Sequence, residues 1–121
     1  MALISSAMAF RNYSAPKQDL SGAFQQVEAA RLPGERAFAI SYSGEIFNGY
    51  FNADWGTIWT AEDYQTALAT PGPLTVVVTF PDRNLREYPA IEADRAAGLL
   101  VERTVLPGTL GDGAILILHR D

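Results

Sequence analysis

The sequence predicts a single small α/β domain in three layers, with a mainly parallel sheet, helices on both faces and a C-terminal antiparallel hairpin. Three observations predict it. Helix-like and strand-like segments alternate through most of the chain. The run LTVVVTF, residues 74–80, is unbroken in apolar and β-branched residues, which demands burial on both of its faces. The last two strand-like runs, VERTVL and AILILH, are joined by a glycine-rich segment too short to carry a helical crossover. With 121 residues the chain buries roughly two-thirds of its unfolded surface and needs neither metal nor disulfide to fold.

Taken in order, the apolar residues Leu20, Phe24 and Val27 follow helical spacing between residues 17 and 32, with Ser14 or Asp19 as the cap and Pro33-Gly34 as the stop. RAFAISY, residues 36–42, reads as a buried strand. The less regular stretch 44–56 combines a short helix with a loop, and TIWT, residues 57–60, is a second short strand. A helix follows, with Thr60 as its cap, Glu62 and Asp63 in its positive first turn and Pro71-Gly72 as its stop. After the strand at 74–80 and a turn at Pro81-Asp82, a helix starts at Pro89 and ends near Gly98. No repeat or linker divides residues 14–121, which read as one domain; residues 1–13 read as a linker or the end of a membrane helix.

Composition excludes several functions. The absence of cysteine removes thiolate metal sites and cysteine nucleophiles. Nine basic residues against fourteen acidic ones, with the basic residues scattered, argue against nucleic acid as a partner. The apolar MALISSAMAF lacks the basic start of a secretory signal and is about half the ~20 residues of a membrane span. It fits a tail, a strand or the last turns of a longer apolar helix.

The candidate chemistry is sparse. Gly108, Gly111 and Gly113 suggest a phosphate cradle, but a cradle opens a helix, and here the apolar run 114–118 reads as a strand. Glycine and aspartate at these positions fit a hairpin loop instead. His119 is the only histidine; an exposed edge position is its ordinary explanation, and a role as acid or base needs an orienting partner. Glu92 and Asp94 point to different sides of a helix, with Glu92 in reach of Arg95. No metal site and no cofactor are expected. The stretch 42–59 is richer, setting Tyr42, Phe47, Tyr50, Phe51, Trp55 and Trp59 among Glu45, Asn48, Asn52 and Asp54. Following the first strand, it belongs at the carboxyl end of the sheet, where open α/β folds bind ligands. Tyr42, Glu45, Asn48, Tyr50, Asp54 and Trp55 are therefore the candidate binding residues, for a sugar or phosphorylated ligand. The plainer alternative buries Phe47, Phe51 and Trp59 as a satellite core.

Three stretches, RNYSAPKQDLSGAF (residues 11–24), WTAEDYQTAL (59–68) and LPGTLGDGAILI (106–117), together resemble the C-terminal extracytoplasmic domain of bacterial polyprenyl-phosphate-dependent sugar transferases. These are integral-membrane proteins akin to protein O-mannosyltransferases and aminoarabinose transferases. The resemblance implies an accessory domain with no catalytic centre of its own, on the periplasmic or extracytoplasmic side of the inner membrane. Its partners would be the membrane-embedded remainder of the enzyme, the membrane surface and the polyprenyl-phosphate sugar. Asn12, Tyr13, Lys17 and Asp19 would lie at the membrane exit, and residues 2–10 would end the final membrane helix. Two other readings compete: a self-contained ligand-binding protein or enzyme with a cavity lined by Glu45, Asn48, Tyr50 and Asp54, and an interaction module with a flat apolar patch.

Overall fold

The computed structural model describes residues 19–108 and 113–121. Five helices and five strands alternate as α1 (Leu20–Ala30), β1 (Arg36–Ile40), α2 (Tyr42–Tyr50), β2 (Gly56–Ile58), α3 (Ala61–Ala69), β3 (Leu74–Thr79), α4 (Pro81–Glu87), α5 (Pro89–Ala96), β4 (Val101–Leu106) and β5 (Ile115–Arg120). The strands form one mixed sheet in the order β2-β1-β3-β5-β4. β1 runs parallel to β2 and β3, while β5 lies antiparallel between β3 and β4. The predicted three-layer α/β class is the observed one.

The layers follow from strand periodicity. Alternate residues of β3 point to opposite faces. Val76 and Val78 join Ile40, Ile58, Tyr64 and Ile91 in one core, under α3, α4 and α5. Val77 joins Ala37, Ala39, Phe47, Trp55 and Ile117 in the other, under α1 and α2. All six residues of β3 are buried, as its unbroken apolar run required. The crossover from β1 to β2 travels one way along the sheet, and that from β2 to β3 travels back over β1. Right-handed crossovers in opposite directions put α2 and α3 on opposite faces.

Local signals are satisfied at the helix ends. Asp19 caps α1, its Oδ1 accepting from the backbone N–H of Gly22 at 2.9 Å. Thr60 and Asp63 form a reciprocal capping box at α3. Gly34 and Gly98 adopt φ of +77° and +80° just beyond α1 and α5, where the chain reverses. Leu106 pairs with Ile115, so the segment between them connects two antiparallel neighbours; residues 109–112 of the glycine-rich stretch lie outside the described residues.

Four expectations are corrected. Tyr42 opens α2 and does not continue β1. Pro81 starts a helix, α4, where only a turn was expected; proline at the first helical position is pre-set for it. Trp59 is 43% exposed and is not part of a buried satellite core. His119 is 8% exposed and sits on an interior strand, because β5 inserts between β3 and β4 and the edge falls to β4.

Candidate functional site

The carboxyl ends of β1 and β3 form the topological switch point of the sheet. The chain leaves β1 toward α2 on one face and leaves β3 toward α4 on the other, so the two exits diverge and open a crevice. Ile40, Ser41, Tyr42, Ser43, Thr79, Phe80 and Asn84 are among its lining residues. Its volume is about 60 Å³, which suits a few waters and falls well short of the roughly 300 Å³ or more of a small-molecule pocket.

Both exits are backbone outliers. Ser41 has φ +57° and ψ −137°, and Phe80 has φ +45° and ψ +62°. Such conformations cost about 1–3 kcal/mol in a non-glycine residue. Hydrogen bonds hold them: Ser41 N–H donates to Ile58 O at 2.8 Å, and the Asn84 side-chain amide donates to Thr79 O at 2.5 Å. The Asn84 Oδ1 is buried without a donor among the described residues.

A serine on a sharp strand-to-helix turn, with small Ala39 and Ser43 two residues to either side, has the local form of a nucleophile elbow. A nucleophile also needs a base within hydrogen-bond reach. The crevice lining contains no histidine, aspartate or glutamate. Ser41 is therefore read as a strained turn. Ser41→Gly is expected to raise stability by about 1 kcal/mol, the relief of strain outweighing the added freedom of the unfolded chain. Urea unfolding measures it, and a lower midpoint would contradict this assignment.

The candidate residues of the 42–59 stretch are divided between two ends of the sheet, because α2 runs back along β1. Tyr42 and Trp59 stand together at the carboxyl end, their rings 5.2 Å apart in an edge-to-face contact. Glu45 is exposed on the first turn of α2. At the other end, Tyr50 is exposed, while Asn48 donates to Trp55 O at 2.9 Å and accepts from Trp55 N–H at 3.2 Å. Trp55 is buried against Phe47 and Phe24, with its indole N–H donating to Glu28. Asp54 is exposed and paired with Arg31 at 2.6 Å. The hydrogen bond from Arg31, and then its charge, hold the Asp54 carboxyl below the usual range. Glu45, Asn48, Tyr50 and Asp54 do not converge on one cavity. Asn12, Tyr13 and Lys17 lie outside the described residues, and Asp19 serves as the cap of α1.

What sequence reading missed is the rest of the aromatic cluster. Phe80 lies on the same crevice as Tyr42 and is 39% exposed, with the Arg83 guanidinium 4.8 Å above its ring. Tyr88 O–H donates to Trp59 O at 2.9 Å, fixing the backbone that carries the exposed indole. The signal was an aromatic at the end of a fully buried strand, where its only exit is the sheet's carboxyl edge. The chain matches no family model, no curated protein and no solved structure.

Proposed function

We propose that this is a non-catalytic accessory domain of a membrane-bound sugar transferase, seated on the bilayer interface by the carboxyl end of its sheet. One observation carries the reading: Tyr42, Trp59 and Phe80 are exposed together on that end, with Arg83 stacked on Phe80. Amphipathic rings beside a guanidinium are the chemistry of the headgroup layer, where the ring body is apolar and its edge is wet. The Arg31–Glu35 turn feeds α1 back into β1, so α1 runs against β1 and begins at this same end. Asp19, the cap of α1, therefore stands on the aromatic side.

The net charge of −5 gives no general attraction to anionic lipid. The contact is then made by rings with zwitterionic headgroups, and it can be weak. In a tethered domain the encounter is intramolecular, and a high effective concentration replaces intrinsic affinity. No helix among the described residues is long and apolar enough to cross a membrane.

The two tryptophans make the test direct, since Trp55 is buried and Trp59 is exposed. Titrating the whole chain with phosphatidylcholine vesicles should shift tryptophan emission to the blue and bring the protein down with the vesicles. Trp59→Ala should abolish the emission shift, and combining it with Tyr42→Ala should reduce co-sedimentation severalfold. No emission shift and no co-sedimentation at millimolar lipid would overturn the docking role.

A further inference from the structure

The amino ends of β1 and β3 hold a second arrangement of polar groups, about 13 Å along β3 from the crevice. Thr75 and His119 are register partners on β3 and β5, Glu35 immediately precedes β1, and all three are buried. The Thr75 hydroxyl donates to Glu35 Oε2 at 3.2 Å, while His119 Nδ1 stands 3.4 Å from Glu35 Oε1 and 3.5 Å from Thr75 Oγ1. Glu35 Oε1 is itself buried without a hydrogen-bond partner among the described residues. Glu35 and Thr75 flank the Nδ1 side of the ring, and Nε2 faces the other way.

Beyond His119 lies a cavity of about 490 Å³, within the size range of small-ligand sites. Gly98, Leu99 and Val101 give it an apolar wall, and Arg103 adds a guanidinium. Arg103 is the extra residue of an irregularity in β4, between Glu102 and Thr104, and its side chain makes no ion pair or hydrogen bond among the described residues. The Asp121 carboxylate, itself 93% exposed, reaches back to His119 Nε2 at 2.5 Å. A carboxylate only accepts, so Nε2 is the donor in this contact. A carboxylate of the chain thus already occupies the polar end of an apolar-walled cavity that also contains the Arg103 guanidinium.

We propose that this cavity binds a small monocarboxylate with an apolar tail, whose carboxylate takes the place of Asp121 on His119 Nε2. Arg103 supplies the second partner, and Leu99 and Val101 cover the tail. The Glu35–Thr75 pair acts only by positioning the ring. The site lies at the opposite end of the sheet from the aromatic cluster and does not depend on the membrane reading.

Because His119 is the only histidine, its ring nitrogens can be followed by NMR without ambiguity while the whole chain is titrated with hexanoate. The expected result is a saturable change at Nε2, with hexanamide giving none. Asp121→Asn removes the internal competitor and should tighten hexanoate binding severalfold. Arg103→Ala should weaken it about tenfold, the equivalent of ~1.4 kcal/mol. Both side chains are exposed, so neither change threatens folding. Absence of a saturable response in both the parent chain and Asp121→Asn overturns the proposal. So does an equal response to inorganic phosphate that Arg103→Ala leaves unchanged. These measurements use no lipid, so their failure leaves the vesicle experiment standing.

Discussion

Trp55→Ala is expected to lower the melting temperature by about 12–20 °C, the largest effect of any single change considered for this domain. Truncating a buried aromatic costs about 3–5 kcal/mol, and at this chain length 1 kcal/mol moves the midpoint by about 4 °C. The location supports the upper part of that range. The Trp55 ring lies 4.5 Å from Phe47 and 5.8 Å from Phe24, and Phe24 stacks on Phe51 at 5.2 Å. Removing the indole takes away a large part of the packing between α1 and α2, and leaves the Glu28 oxygen that accepts its N–H at 2.8 Å with only the longer contact from Arg31 at 3.3 Å. Trp55→Phe keeps much of the ring packing and should cost about half as much. Thermal unfolding followed by circular dichroism decides the matter: a shift below about 4 °C would show that Trp55 is not core. Asp54→Asn is the contrast. Its carboxylate is exposed, and its pair with Arg31 contributes little in water.

Trp55 and Tyr42 also show what the sequence could disclose. Both belong to one aromatic stretch, and composition gives them the same candidate role. One became core and the other stayed exposed because α2 spans the sheet from end to end, a length fixed only once Phe51 ends the helix. The fold was more legible. Pro33-Gly34 and Pro89 act through their own backbone geometry and Thr60 through a cap three residues away, so the sequence placed those boundaries within a few residues. The interior place of β5 was not legible, since strand order depends on contacts between distant segments. That one fact buried His119 and set Glu35 and Thr75 beside it. Sequence alone left the histidine without an orienting partner; the pairing of β5 with β3 supplied one. The strained Ser41 was equally invisible, because serine is an ordinary residue after a strand and only the tight exit into α2 gives it a positive φ.

The second large effect is expected at Tyr64, on the opposite face. Its ring is fully buried, and its hydroxyl donates to Asp94 Oδ2 at 2.6 Å, tying α3 to α5. Tyr64→Phe removes a hydrogen bond to a carboxylate and should cost about 2 kcal/mol, whereas Tyr64→Ala also opens a cavity and should cost about 4 kcal/mol. The pH dependence separates the two contributions. Burial, then the hydrogen bond to Asp94 and the charge of that carboxylate, push the phenol well above its ordinary value of 10.0, against a smaller opposing influence of Arg120. The unfolded chain therefore loses the phenolic proton first. Stability from this group is complete below about pH 10 and falls as pH rises from there toward the higher folded value, by up to ~1.4 kcal/mol per pH unit. Tyr88 is raised in the same direction, mainly by burial, and adds to the alkaline loss. Urea midpoints measured from pH 8 to pH 11 should thus drop steeply above pH 10 in the parent chain and less steeply in Tyr64→Phe, where only the Tyr88 contribution remains. Equal slopes in the two proteins would mean that the Tyr64 phenol ionises as readily folded as unfolded, and the bond to Asp94 could not then be the tie between α3 and α5.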